Sequence, residues 1–403
     1  MLKPIKIKIV FYLTVCFSLT LTKAKAQVSN TSQLSGGINT ITTAVPVLLI
    51  TPDSRAGAMA DCGVASSPDA NSIHWNASKL AFSDKKVGLS VSYTPWLRQL
   101  VNDINLAYLS GFYKIDKNSA VAGSLRYFSL GSITFTDIVG NTIGNFRPNE
   151  FAIDGAYSRK LSDRFSGGMA MRFIYSNLTN GLTLTGGTQT HAGISFAVDI
   201  NGFYHSKKFE VNGKKTTLNA GFNISNIGNK ISYTSSGERD FIPTNLKLGV
   251  AWQIEMDEYN TFTLMTDINK LLVPTPPEYA TGTKNIVRGM DPNVSVTQGI
   301  VQSFYDAPGG FNEEIREFNP SIGMEYWYDK QFAVRAGFFY EDRTKGNRQY
   351  ITLGAGVKYN VFGLDFAYLI PIRQNNPLQN TLRFSLLFDF EAFKSQNTSS
   401  ENN

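Results

Sequence analysis

The sequence predicts an all-β fold: a 14-stranded antiparallel transmembrane β-barrel with an N-terminal plug in its lumen. Three observations predict it. Apolar and polar residues alternate with period two along many segments, and the connections between these segments alternate between short and long. Past the N-terminal leader, no segment reaches the ~18 uninterrupted apolar residues that a membrane helix needs. An exported chain of this kind crosses a membrane by closing its sheet, which pairs every backbone N–H and C=O without water.

The leader comes first. Lys3, Lys6 and Lys8 precede an apolar run from Ile9 to Leu21, and Ala24-Lys25-Ala26 supplies a small-x-small cleavage pattern before Gln27. Residues 1–26 read as a secretory signal peptide. Cys16 follows Val15 rather than a small residue, which argues against lipidation. Five of the 38 basic residues and none of the 32 acidic ones lie in the leader, leaving 33 against 32, a net charge of +1. The basic character is therefore a property of the leader, and nucleic acid is not an expected partner. Cys62 is the one cysteine left, so no intramolecular disulfide forms.

Residues 27–86 do not alternate. Gly36-Gly37 and the surrounding Ser and Thr look flexible; small residues then dominate from Thr51 through Ala65. Small residues let backbone approach backbone. A barrel of this size has a lumen too wide for its own side chains to fill easily. The segment is therefore expected to fold inside as a plug, the competing reading being a disordered periplasmic extension.

The barrel itself is expected over 87–393, with strands at 87–96, 103–114, 119–130, 149–160, 165–177, 191–205, 216–226, 244–256, 260–270, 320–329, 331–341, 349–360, 361–370 and 379–390. Leu246, Leu248, Val250, Trp252 and Ile254 alternate with Lys247, Gly249, Ala251 and Gln253; Leu382 to Phe390 repeats the pattern. Such alternation sends one set to each face of a sheet, apolar to lipid and polar to the lumen. Turns after the even-numbered strands are short, although 206–215 is longer, and loops after strands three, five, seven and nine are long, the last covering 271–319. Short turns at the periplasmic end and long loops outside would leave both termini periplasmic. Residues 394–403 form a polar tail. A soluble all-β protein is the competing reading, and it fits the leader and the loop parity poorly.

On the inward parity lie Arg126, Arg172, Lys247, Arg335, Lys358 and Arg383, opposite Asp154, Asp199, Asp267, Glu325, Asp365 and Asp389. This balance predicts internal pairing rather than an ion-selective pore, because an unpaired buried charge is costly. Catalytic patterns are missing. His74, His191 and His205 have no metal-site spacing, and there is no nucleophile elbow, P-loop or C-x-x-C. No cofactor, metal or enzyme chemistry is expected.

Several motifs then carry a resemblance. They are Ile50 to Met59 (ITPDSRAGAM), Ser67 to Ser72 with His74-Trp75-Asn76, and Ser92 to Leu97 with Asp103 to Tyr108. Further along are Arg147 to Phe151, Leu272 to Pro277, Asp306 to Phe311, and Asn376-Pro377-Leu378 leading to Arg383-Phe384. They spread over nearly the whole mature chain, which resembles the PorV family, outer-membrane subunits of the type IX secretion system within the wider FadL-like barrel group. The family tends to Gly-Asp after the methionine, where this chain has Ala60-Asp61, and to Asn-Pro-Ala after the tryptophan, where it has Asn76-Ala77-Ser78.

The resemblance implies a non-enzymatic carrier in the cell outer membrane. Its partners would be secreted cargo with a C-terminal signal domain, the large translocon barrel, a sortase-like surface-attachment complex and outer-membrane lipid. The long loops are the expected cargo site: Trp96, Leu97 and Leu100 in the first, and Val301, Phe304, Tyr305, Pro308 and Phe311 in the 271–319 loop. Exposed aromatic groups in loops commonly mark interaction surfaces; alternatively these groups pack together to close the barrel top. Two other functions compete. One is a FadL-like channel for hydrophobic small molecules, which would need an apolar lumen; the other is an enzyme modifying lipid A, which would need a nucleophile and base.

Overall fold

The computed structural model describes residues 37–98, 101, 103–136, 139–183, 188–234, 239–373 and 376–390. The expected leader and C-terminal tail, together with Leu100, lie outside the described residues. Residues 40–403 form one compact unit, which contains the barrel.

Fourteen antiparallel strands close on themselves. They are β1 (Val87–Pro95), β2 (Ile104–Lys114), β3 (Ser119–Leu130), β4 (Asn149–Lys160), β5 (Phe165–Asn177), β6 (Gly193–His205) and β7 (Lys214–Gly228). The second half is β8 (Asn245–Glu255), β9 (Asn260–Leu271), β10 (Asn319–Tyr328), β11 (Phe332–Tyr340), β12 (Gln349–Tyr359), β13 (Phe362–Pro371) and β14 (Leu382–Phe388). Each strand pairs with its sequence neighbours, and β14 closes the ring on β1 through Leu89↔Phe388 to Tyr93↔Phe384. The short connections use residues that tolerate a left-handed backbone: Asn212-Gly213, Asp329-Lys330 and Asn360 all have positive φ. A bulge interrupts β7 between Ile224 and Ile227, where Asn226 turns to φ 60°.

Side chains follow the pleat. Leu248, Val250 and Trp252 are exposed on the outer face, as are Leu109, Ile153, Phe196, Leu353 and Phe384. The alternate positions Gly249, Ala251, Arg383 and Ser385 are buried. Lys247 points inward, its Nζ 4.3 Å from the centre of the Trp75 ring. Val250→Arg is therefore expected to cost ~2–4 kcal/mol of barrel stability near the bilayer midplane, and Lys247→Gln much less. Urea unfolding in lipid vesicles measures both, and equal losses would overturn the facing assignment.

The segment expected as a plug is irregular, with 3-10 turns at Pro46–Leu49 and Ala77–Phe82 and single helical turns α1 (Ser54–Gly57) and α2 (Ser72–Trp75). It is buried almost throughout from Thr51 to Ala81, and its bonds run to inward positions around the ring. Ser54 N–H donates to Ser385 Oγ on β14 at 2.8 Å, and Ala60 N–H to Thr352 Oγ1 on β12 at 2.9 Å. The N–H groups of Gly63 and Val64 donate to Asp267 on β9 at 2.8 and 3.0 Å. On the other side, Ser78 N–H donates to Asn201 on β6, and Ser110 on β2 donates to Asn71. Two wall glycines permit the contact. A Cβ on Gly337 would collide with the backbone of Met59 and Ala60, and one on Gly354 with the Cβ of Ala58.

The inward charges pair less evenly than their balance predicts. Arg172 holds Asp154 at 2.5 Å and Asp199 at 3.1 Å, and Arg335 holds Glu325 at 2.7 Å and Asp365 at 2.8 Å. Two arginines thus serve four of the acids. Asp267 is served by backbone N–H groups and Asp389 by Lys85 at 2.5 Å. Lys358 lies 4.2 Å from the centre of the Trp327 ring, and Arg126 donates to Val47 O at 2.9 Å. Register explains the true pairs, because Asp154↔Arg172 and Glu325↔Arg335 are direct cross-strand neighbours.

Candidate functional site

The end of the barrel bearing the long loops carries the candidate site. The connection between β9 and β10 contains a small ribbon, Glu278–Tyr279 with Ile286–Arg288, and two helices, α3 (Val296–Gln302) and α4 (Phe311–Arg316). Ser295 caps α3 by accepting the Gln298 N–H at 3.3 Å. Gly310, at φ 66°, turns the chain into α4.

Buried ion pairs hold this connection. Lys270, at the end of β9, contacts Glu317 at 2.5 Å and Glu314 at 3.3 Å. Lys345, between β11 and β12, contacts Glu317 at 2.9 Å and Glu313 at 2.5 Å. Thr275 donates its hydroxyl to Glu317 at 2.7 Å, and Ala307 N–H donates to Glu314 at 2.8 Å. Lys270, Lys345, Glu314 and Glu317 are all buried, so each carboxylate is satisfied by cations and donors from separate parts of the chain. Asp306 accepts the Thr275 N–H at 3.1 Å; burial, with Glu314 nearby, pushes its carboxyl up to about 6.

The same connection exposes apolar groups. Val301 is 61 % exposed, Phe304 45 %, Tyr305 60 % and Phe311 77 %. These predicted residues lie on or beside the two helices, with Pro308 half-buried between them. Ile315 on α4 is also exposed. Sequence reading passed over it, although it lies four residues beyond Phe311 and so on the same helical face. Trp96 and Leu97 sit elsewhere. Both are half-buried, and Trp96 packs on the cluster of Val47, Leu48, Leu106 and Phe128.

Beside Trp96 lies a cavity of about 470 Å³ bounded by Leu49, Phe128, Leu369 and Leu378. Polar and charged residues also line it, among them Asp61, Arg348, Tyr350 and Arg383. Tyr350 donates its hydroxyl to Asp61 Oδ2 at 2.7 Å. Among the described residues, Arg383 Nε and Nη1 and Asp61 Oδ1 are buried without hydrogen-bond partners.

With this geometry in place, a family comparison decides the assignment. Residues 33–278 match the family described as type IX secretion system protein PorV. The chain belongs to the PorV family. It is thus an outer-membrane component of type IX secretion. No curated protein matches the chain.

Solved structures similar to this PorV-family barrel include three from other bacteria. The Ralstonia pickettii toluene transporter TbuX is 11% identical over 84% of this chain and 97% of its own, with a TM-score of 0.45. The Pseudomonas putida toluene transporter TodX is 12% identical over 82% and 95%, with a TM-score of 0.46. A Pseudomonas aeruginosa FadL homologue is 12% identical over 88% and 100%, with a TM-score of 0.42.

The first departure from the PorV family's sequence pattern has a backbone counterpart. Ala60 and Asp61 lie at φ 53° and 67°, a region where glycine is unstrained and alanine is not. The histidines are engaged structurally. Arg126 Nη2 and His74 Nδ1 are 2.7 Å apart, and His205 Nδ1 and Asn219 Oδ1 are 2.8 Å apart. His191 Nδ1 lies 3.0 Å from the Ala192 carbonyl. Among the described residues, no group of three or more His, Cys, Asp or Glu could hold a metal ion.

Proposed function

We propose that this PorV-family barrel is a non-enzymatic carrier that receives cargo with a C-terminal signal domain from the translocon barrel and delivers it to the sortase-like attachment complex. One observation carries the reading. The β9–β10 connection is fixed by buried ion pairs and leaves Val301, Phe304, Tyr305, Phe311 and Ile315 exposed. A fixed apolar face bordered by charge is the usual anatomy of a protein-docking surface. In this reading residues 45–83 act as a plug, and their bonds across the lumen argue against a channel for small hydrophobic molecules. None of the histidine contacts is to a hydroxyl or thiol nucleophile, which favours a carrier over a lipid-modifying enzyme. Long loops outside and both termini in the periplasm complete the proposal.

Two measurements test it. A secreted reporter bearing the signal domain should co-purify with the barrel from membranes, and its absence there would remove the carrier reading. For topology, Lys284→Cys and Asp163→Cys place thiols in exposed positions at opposite ends. An impermeant maleimide on intact cells should label the first and spare the second, while Cys62 stays buried. Labelling of Asp163→Cys alone would invert the topology.

A further inference from the structure

We propose that the cavity beside Trp96 is a receptor for the C-terminal carboxylate of a peptide chain, with Arg383 meeting the carboxylate and Asp61 accepting the N–H of the last residue. The inference rests on the carrier reading and names the part of the cargo that enters the barrel.

The argument begins with Arg383. It is 2 % exposed, yet its Nε and Nη1 have no partner among the described residues. A buried guanidinium left with free donors is expensive; Arg172 and Arg335 are each held by two carboxylates, whereas Arg383 has none within ion-pair distance among the described residues. Arg383 is held where it is. Its Cδ stands 2.9 Å from where a Cβ on Gly57 would lie, and its guanidinium is 6.0 Å from the centre of the Trp96 ring. Its guanidinium is therefore fixed in the wall of the cavity, where a ligand can supply the acceptor that the described residues do not. A carboxylate is the acceptor that a guanidinium binds most strongly.

Asp61 decides between kinds of carboxylate. Its Oδ1 is also buried and unpartnered, in the same cavity. A simple fatty acid offers nothing to a carboxylate oxygen and would be repelled by it. A peptide terminus carries an acceptor and a donor within one residue, and both orphaned groups are satisfied at once. The remaining walls, Leu49, Phe128, Leu369 and Leu378 among them, suit an apolar terminal side chain, and about 470 Å³ is an ordinary ligand volume. Location agrees. Trp96 follows the end of β1, Leu369 is near the end of β13 and Arg383 is at the start of β14, so the cavity lies at the long-loop end. A second cavity, running to Leu271, Glu317 and Lys345 at the base of the β9–β10 connection, shares Pro46, Leu49 and Arg348 with it.

The test compares one signal domain from a secreted protein of the same cell, prepared with a free C-terminal carboxylate and as the C-terminal amide. Binding to the detergent-purified barrel is followed by fluorescence, with dansyl-undecanoate as a separate probe. The free acid should bind about tenfold or more tighter than the amide, the order expected of a charge-assisted pair. Arg383→Gln should erase that difference and Arg383→Lys should keep part of it. Asp61→Asn should weaken acid and amide alike. Equal binding of acid and amide to the unaltered barrel overturns the inference and leaves the carrier reading standing. Arg383-dependent binding of dansyl-undecanoate with no effect of amidation would also overturn it, making the cavity a site for small carboxylates. No binding of either signal-domain form would instead remove the carrier reading itself. The acid–amide comparison needs no altered barrel, so it decides even if Arg383→Gln fails to fold.

Discussion

Glu325→Ala should be the most destabilising single change in the barrel interior. Glu325 Oε1 and Oε2 accept from Arg55 at 2.8 and 2.9 Å, and Oε2 also accepts from Arg335 at 2.7 Å. Arg55 is 9 % exposed and Arg335 3 %. Removing the carboxylate leaves two buried guanidiniums sharing Asp69 and Asp365, and breaking a buried pair on one side costs ~3–5 kcal/mol. The loss falls where the N-terminal segment is seated, so residues 45–83 should become protease-sensitive before the strands unfold. Replacing both partners, Arg55→Met with Glu325→Leu, should cost less than the two single changes added together, because Arg335 keeps Asp365 and Asp69, which loses Arg55, still accepts from Asn71 N–H and Ser72. Heat-dependent migration of the folded barrel on electrophoresis measures the stability. A Glu325→Ala barrel as heat-stable as the unaltered one would show that these ion pairs do not seat the segment.

The second large effect concerns function. Phe304→Ser, Tyr305→Ser and Phe311→Ser together should abolish cargo capture while leaving barrel assembly intact. These side chains are exposed and lie outside every strand, and the ion pairs of Lys270 and Lys345 that hold the loop remain. Large aromatic anchors at an interface contribute ~2 kcal/mol or more each, so capture should fall by at least ~30-fold even if only one of them is central. Exchanging His74, His191 and His205 for glutamine should leave secretion near normal, since glutamine at 74 still offers Arg126 an acceptor. The readouts are co-purification of cargo from membranes and surface display of a signal-bearing reporter. Normal capture by the loop variant, joined to lost secretion in the histidine variant, would sink the carrier reading and reopen an enzymatic one.

Most of the wall was readable before any coordinates. Alternation set the faces, and Asn212-Gly213 and Asp329-Lys330 marked their turns by residues that accept positive φ. Strand ends moved where alternation runs on past the pairing: the span 379–390 contracts to Leu382–Phe388, and 191–205 begins only at Gly193. The β9–β10 connection was legible as a long loop with aromatic anchors, but not as two helices, which are too short for a periodic signal. Its ion pairs were hidden as well, because Lys345 meets Glu317 across 28 residues with nothing local to link them. Arg383 was assigned to the lumen by parity and grouped with the paired charges. Its lack of a partner depends on where Gly57 and Trp96 end up, which no pattern in the sequence encodes.

The seat of the N-terminal segment also sets an order of events. Ser54 bonds to a residue 331 positions later, and Arg55 to one 270 positions later. The segment is synthesised before its partners on β10 and β14. Contacts at such separation carry a large loop-closure cost and form late. Until the late strands pair, Arg55 and the small-residue stretch behind it therefore lack the partners that bury them in the folded barrel. The last strand to arrive is the one that gives the first segment its place.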